Sequence, residues 1–155
     1  FQRSAVNFHT EADILSYTVK LCRGLDNIPE ARQIREAVFV KEQGFTMEFD
    51  ETDKSAFHAV IFDGEKPIAT GRLFRENDGF VIGRIAVIKE YRGKSVGSLV
   101  VGALEREAEQ QGAAEVSLSA QLRAEGFYER LGYKSHGDIH MDEFCPHVTM
   151  TKKLK

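Results

Sequence analysis

The sequence has few of the features that mark disulfide-stapled or nucleic-acid-binding proteins. Its 155 residues include only two cysteines, Cys22 and Cys145, and neither belongs to a C-x-x-C pair. A disulfide framework is therefore not predicted, and both thiols are expected to be reduced. The formal net charge of −3 gives no support for a generic nucleic-acid-binding surface.

Long hydrophobic runs are also missing. No apolar stretch approaches the length of a membrane span, and no signal-peptide pattern is present. Hydrophobic residues make up 42% of the chain and charged residues 29%, a balance typical of soluble globular proteins. We therefore expect a cytoplasmic protein without a membrane or nucleic-acid partner. Its length predicts one domain over residues 1–155, in which residues 1–14 have little pattern and form an N-terminal extension.

Hydrophobic patterns divide the chain into strands and helices. Strands are predicted at 15–21, 57–62, 67–74, 81–88, 115–120 and 147–154, with a further short strand from Tyr133. Helical spacing predicts helices over 27–40, 96–111 and 124–131, the first with a capping box of Asn27 and Glu30. The segment 135–146 is predicted to be an irregular loop, and the last strand is predicted to close the sheet.

Short turns and one crossover define the expected sheet. Turns at 63–66 and 77–79 join three consecutive strands into an antiparallel meander. A strand, a helix and a strand then form a β-α-β crossover, whose two strands should run parallel. We therefore expect a mixed α/β fold with a twisted, mainly antiparallel sheet and helices on both of its faces.

The stretch from Glu90 to Ser98 is a basic, glycine-punctuated turn between a buried strand and a helix. The first amides of a helix lack intrahelical acceptors, and the helix dipole places partial positive charge there. Gly93 and Gly97 allow close approach to the backbone, while Arg92 and Lys94 add charge. The stretch therefore suits a phosphate or pyrophosphate. An ordinary strand-to-helix turn with basic surface residues is the alternative interpretation.

Two motifs together resemble a known family. The turn is not a P-loop, because Ile88 stands where that motif needs glycine, and it contains no G-x-G-x-x-G fingerprint. It is similar to the Q/R-x-x-G-x-G/A pyrophosphate loop of the GNAT superfamily of N-acyltransferases, with Arg92 first and Gly97 last. Ser95 replaces the middle glycine, which costs little if its φ is negative.

The second motif resembles A-x-x-F-Y-x-x-x-G-F/Y of the same family, with Ala124, Phe127, Tyr128, Gly132 and Tyr133 in register.

Segments 38–44 and 146–150 look like the ElaA/YjcF-like branch of small bacterial members, and the resemblance covers roughly residues 16–153. It implies transfer of an acetyl group from acetyl-CoA to a primary amine by direct attack in a ternary complex. The acidic residues before the central strands suggest a cationic acceptor, such as a polyamine, an aminoglycoside-like amine or a peptide terminus, but these residues could equally be solvated surface. The resemblance also makes a homodimer plausible. No metal is implied, and the cluster of His136, His140, Asp142, Glu143 and His147 presents no ligand set of defined geometry.

The resemblance also implies roles for individual residues. The pantetheine arm would pair with the backbone of Ile85, Ala86 and Val87, and the Val87 amide would stabilise the oxyanion. Tyr128 would protonate the departing thiolate. The residues assigned to cofactor binding are Ile85, Ala86, Val87, Arg92, Gly93, Lys94, Ser95, Val96, Gly97, Ser98, Phe127 and Tyr128.

A base must take the proton of the acceptor amine. The candidates are Glu42, His58, Asp50, Glu51, His140 and His147. Glu42 is favoured, because it follows the first helix, where the acceptor site of the family forms. The acidic segment 41–55 is either a solvated connection or a lip that attracts a cationic amine. Two other functions stay open: a non-catalytic acyl-CoA sensor, and a nucleotide-phosphate binder for which ATP would compete.

Overall fold

Seven strands and three α-helices are found in the computed structural model, which describes residues 17–155. The strands are β1 (Tyr17–Arg23), β2 (Phe57–Asp63), β3 (Lys66–Glu76), β4 (Gly79–Val87), β5 (Glu115–Gln121), β6 (Lys134–Asp142) and β7 (Cys145–Lys153). The helices are α1 (Pro29–Arg35), α2 (Val96–Gln110) and α3 (Glu125–Arg130), and α1 continues as a π-helix over Glu36–Glu42. The expected extension at 1–14 and the expected start of the first strand at residue 15 lie outside the described residues.

The strands form one sheet in the order β1-β2-β3-β4-β5-β7-β6. All neighbours pair antiparallel except β4 and β5, which are parallel and are joined through α2. The predicted mixed sheet and its crossover are therefore confirmed. The prediction that the last strand closes the sheet is wrong, because β7 lies between β5 and β6.

The two faces of the sheet carry different helices. Side chains alternate along a strand, so neighbouring residues of β2 point to opposite faces. Ala59 and Ile61 pack in the same hydrophobic cluster as α2, whereas Val60 packs with α1. Gly71 of β3 permits the close approach of α2, since a Cβ there would lie 2.7 Å from Val100 Cγ1.

Two local predictions are corrected by the structure. The segment 135–146 is not an irregular loop, since it forms most of β6 and the turn into β7. Every residue of β6 is exposed, so this edge strand has no buried face and shows no hydrophobic alternation. Asn27 is not the cap of α1 either: Ile28 occupies that position, and Asn27 Nδ2 donates to the Arg23 carbonyl at 2.8 Å.

The parallel strands β4 and β5 separate after a short contact. They pair only at Phe80 with Val116 and at Val81 with Ser117. Further along, β4 bulges against β3, and Arg84 adopts a φ of +54° at the bulge. A bulge bends its strand and strengthens the local twist. The last residues of β4 therefore leave β5 and open the sheet on that side. None of the described helices is long and apolar enough to cross a lipid bilayer.

Candidate active site

A cleft of about 890 Å³ lies where β4 and β5 diverge. The end of β4, the turn before α2, α3 and the π-helix contribute to its walls. Of the residues expected at the site, the cleft is lined by Glu42, Ile85, Ala86, Val87, Arg92, Gly93, Ser95, Val96, Gly97, Ser98, Phe127 and Tyr128. Lys94 is the exception: it does not line the cleft, and its Nζ lies 5.3 Å from the centre of the Tyr91 ring.

The backbone amide of Val87 faces away from β3. Val87 pairs with Ala69 across the β3–β4 ladder, and the next residue, Ile88, donates its amide to the Ile68 carbonyl at 3.0 Å. Backbone groups of an antiparallel strand point alternately to one side and the other. The N–H and C=O of Val87 therefore point to the side where β4 has left β5, which is the side of the cleft.

The turn before α2 holds two residues in the left-handed region. Gly93 has a φ of +78°, and Ser95, directly before the helix, has a φ of +63°. The condition under which serine would cost little here, a negative φ, is therefore not met, and Ser95 occupies a conformation that favours glycine. No side chain caps the first turn of α2, whose amides therefore stay available to an anion at the cleft.

Replacing Ser95 with glycine is expected to raise the free energy of unfolding by roughly 0.5 to 1 kcal/mol, because the left-handed conformation costs glycine little. Ser98→Gly, one turn into α2, is the matched control and should lower stability by a similar amount. Urea denaturation of the two variants and the wild type measures both changes. A loss of stability in Ser95→Gly would contradict this account of the turn.

Gly97 connects the two motifs. A Cβ at Gly97 would lie 3.1 Å from Cζ of Phe127, so the first turn of α2 packs closely on α3. The Phe127 ring in turn meets the Tyr128 ring edge-on at 4.9 Å. The turn and the tyrosine are therefore held in one packed unit at the cleft.

Tyr128 is the buried aromatic hydroxyl of the cleft. Its side chain is 7% exposed, and its ring also meets Tyr133 edge-on at 5.8 Å. Burial raises the pKa of Tyr128 above its ordinary value. The phenol is therefore protonated at neutral pH, which suits a proton donor.

Glu42 forms an ion pair with Arg92 across the cleft. Both Glu42 oxygens accept from the guanidinium, at 2.5 and 2.7 Å, and Arg92 Nε donates to the Val87 carbonyl at 3.0 Å. The hydrogen bonds from Arg92 lower the pKa of Glu42. Glu42 lies at the expected place, but an engaged carboxylate of lowered pKa is a weak proton acceptor.

Comparison with known proteins agrees with this architecture. Residues 27–154 match the family model described as the acetyltransferase (GNAT) domain. The chain belongs to the GNAT family of acetyltransferases. YjcF of Bacillus subtilis (strain 168), named an uncharacterized N-acetyltransferase, is 37% identical over 136 residues, which span 85% of this chain and 96% of YjcF.

Solved structures show the GNAT fold as well. A Lactobacillus plantarum protein of known crystal structure is 32% identical with a TM-score of 0.80, over 88% of this chain and 99% of that one. Escherichia coli ElaA superposes with a TM-score of 0.78 at 22% identity, over 87% of this chain and 99% of ElaA. The family resemblance and the fold inferred from the sequence are confirmed.

Part of the acidic segment of this GNAT protein lines the cleft, and its buried carboxylates are paired with arginines instead of being open to solvent. Glu48 and Asp53 are buried and receive hydrogen bonds from Arg35 at 2.8 and 2.7 Å. Arg72, also buried, donates to Asp50 at 2.7 Å and to Asp53 at 2.8 Å. These carboxylates are balanced by arginines of α1 and β3. They therefore give no reason to expect a cationic acceptor.

Most other candidate bases of the GNAT cleft are engaged or distant. His58 is fully buried and donates from Nε2 to the Asp53 carbonyl at 3.0 Å. Glu51 is exposed and pairs with Lys54 at 2.9 Å. His140 is exposed, with Nε2 2.9 Å from Ser119 Oγ. Of the three histidines on the candidate list, His147 alone lines the cleft.

One wall of the cleft is held by a contact that the sequence did not predict. Glu143, in the β6–β7 turn, accepts from the amides of Thr46 and Met47 at 3.0 to 3.1 Å, and Phe144 stacks on Phe45 at 5.0 Å. The two-residue turn between β6 and β7 could have indicated this contact, but the segment was predicted to be an irregular loop. Among residues 17–155, no three His, Cys, Asp or Glu side chains gather in a way that could hold a metal ion.

Acidification is expected to destabilise the protein through His58. Burial lowers the pKa of His58 to about 4, whereas the unfolded chain has a value near 6.5. Between these values His58 is protonated in the unfolded chain but not in the folded protein. The contribution of neutral His58 to the free energy of unfolding is therefore fully present above about pH 6.5. It is lost as pH falls toward 4, by up to about 3 kcal/mol.

Urea denaturation at several pH values from 7.5 to 4.5 measures this loss. His58→Gln is the control, because glutamine keeps a donor for the Asp53 carbonyl and does not titrate. The difference between the two pH profiles isolates His58 from groups that both proteins share. Parallel profiles would contradict the prediction.

Proposed function

We propose that this GNAT protein is an acetyl-CoA-dependent N-acetyltransferase, which moves an acetyl group to a primary amine by direct attack in a ternary complex. One observation carries the proposal: the Val87 amide, the uncapped first turn of α2 and the buried Tyr128 face one cleft. An oxyanion donor, an anion site and a proton donor are what this reaction needs in one place.

The residues of the cleft fit acetyl-CoA. The free edge of β4 beyond Val81 supplies unpaired backbone groups for an extended pantetheine arm. The amides at the start of α2 suit the pyrophosphate, beside the Arg92 guanidinium that is paired with Glu42. Gly97 keeps a side chain from filling this space. We therefore assign the donor to the groove between the end of β4 and the start of α2.

Val87 and Tyr128 act on the two atoms that gain negative charge. The Val87 amide donates to the carbonyl oxygen of the acetyl group as the amine attacks and the C–N bond forms. Tyr128 gives its proton to sulphur as the C–S bond breaks, and it regains a proton from solvent. An ammonium acceptor loses two N–H protons overall, which balance the new S–H and one proton released to solvent.

The acceptor in this proposal is a small molecule or a peptide with a primary amine. The reduced thiols of Cys22 and Cys145 support a cytoplasmic reaction. The rival function is an acyl-CoA sensor that uses the same groove without turnover. Tyr128 favours the enzyme, because a sensor needs no buried proton donor beside the thioester.

Release of the CoA thiol tests the proposal. Purified protein is mixed with acetyl-CoA and, separately, with spermidine, phenethylamine and glycylglycine, and free thiol is followed with a chromogenic disulfide. The proposal predicts amine-dependent thiol release with at least one acceptor and one acetylated amine per thiol. Saturable acetyl-CoA binding without any thiol release would favour the sensor.

A further inference from the structure

His147 is a buried imidazole on the wall of the cleft. It lies on β7, paired with Gln121 of β5, and only 6% of the residue is exposed. Its Nδ1 lies 2.9 Å from the backbone carbonyl of Cys145. A carbonyl oxygen only accepts hydrogen bonds, so the proton of the neutral ring must be on Nδ1.

The fixed tautomer leaves Nε2 as an unprotonated nitrogen. A neutral imidazole carries one N–H, so Nε2 holds a lone pair. Among the described residues, Nε2 receives no hydrogen bond, and it is not one of the polar atoms that are sealed from solvent. The ring thus has an accepting nitrogen, and His147 lines the same cleft as Tyr128 and Val87.

We propose that His147 Nε2 takes the proton from the acceptor amine, which makes His147 the general base of the reaction. This inference rests on the proposed N-acetyltransferase function. Glu42, the base favoured from the sequence, has both oxygens on Arg92, whereas His147 Nε2 is free to accept.

His147 and Tyr128 act on different protons in this reaction. Nε2 accepts one proton from the ammonium and releases it to solvent, so that a neutral amine forms the C–N bond. The second N–H proton passes to solvent as the C–S bond breaks. Sulphur gains its proton from Tyr128, and the Tyr128 phenolate takes one proton back from solvent. One proton therefore appears in solvent for each acetyl group transferred.

Several titratable groups surround His147. The His140 ring on β6 lies nearly parallel to it, with the ring centres 6.0 Å apart, and Cys145 is on its own strand. Glu42 and Asp142 line the same cleft. A pH profile of the reaction therefore needs comparison with a variant in which His147 alone has changed.

His147→Asn is the informative variant. The asparagine amide can still donate to the Cys145 carbonyl from near the Nδ1 position, but it offers nothing at Nε2. We expect kcat/KM for the amine to fall by about 100-fold or more, with Kd for acetyl-CoA within twofold of wild type. The deficit should shrink as pH rises, because solvent then deprotonates the amine. His140→Asn, the stacked neighbour, is the control and should keep most of the activity.

A second measurement needs no acceptor. Nitrogen-15 NMR of the imidazole rings in the full chain identifies the His147 signals as those missing from His147→Asn. In the neutral ring we expect the proton on Nδ1 and no proton on Nε2. A protonated Nε2, or an active wild type with an equally active His147→Asn, would overturn the assignment. A wild type that releases no thiol would instead contradict the proposed function. The NMR result would then show by itself whether Nε2 of His147 can accept a proton.

Discussion

Tyr128→Phe is expected to lower kcat by about 100-fold or more, while Kd for acetyl-CoA stays within about twofold of wild type. The change removes one hydroxyl and leaves the ring that packs against Phe127 and Tyr133. Without the phenol, sulphur must leave as a thiolate without a proton donor from the protein. Steady-state thiol release gives kcat, and calorimetric titration gives Kd.

Tyr133→Phe is the matched control for Tyr128. Tyr133 is also buried and also carries a hydroxyl, but it does not line the cleft and donates to Glu105 at 2.7 Å. Its loss should lower stability by about 1 kcal/mol and leave kcat nearly unchanged. A Tyr128→Phe variant with full kcat would remove Tyr128 from the mechanism. Equal losses in both variants would indicate a packing defect.

Gly97→Asp is expected to raise Kd for CoA by about 100-fold. The carboxylate would be placed at the start of α2, where the proposal locates the pyrophosphate, and two like charges about 4 Å apart repel by roughly 1 to 4 kcal/mol. Its Cβ would also lie 3.1 Å from Phe127, so the aromatic ring must move. An acidic residue in the first helical turn is favourable for the helix itself, so we expect a folded variant.

Gly102→Asp separates binding from general effects of the substitution. Gly102 lies on the same helix but does not line the cleft, and a Cβ there would meet only the Arg106 guanidinium, at 3.5 Å. This variant should bind CoA like the wild type, and thermal melts of both variants report on their folding. Unchanged affinity in a folded Gly97→Asp would contradict the anion site at the turn.

Local motifs explain why much of the site could be predicted from the sequence. The turn over Arg92–Ser98 and the segment around Tyr128 each lie within a few consecutive residues, where glycine, charge and helical spacing are visible directly. The order of the two motifs along the chain predicted that they lie on neighbouring elements, and residues of both motifs line the cleft. The central strand was equally clear, because it is apolar on both faces.

Long-range pairing explains what the sequence concealed. Arg35 and Arg72 look like surface arginines in the sequence, yet they are buried because carboxylates 13 to 22 residues away reach them. The edge strand β6 has no buried face, so no periodicity could reveal it. The tautomer of His147 depends on the Cys145 carbonyl, whose direction is set by the β6–β7 hairpin.

The most direct test of the account is calorimetric titration of the purified protein with acetyl-CoA, with ATP as the control. We expect saturable binding of acetyl-CoA at one molecule per chain, and no displacement of it by ATP. A folded protein that binds no acetyl-CoA, or one from which ATP displaces it, would contradict the assignment of the cleft.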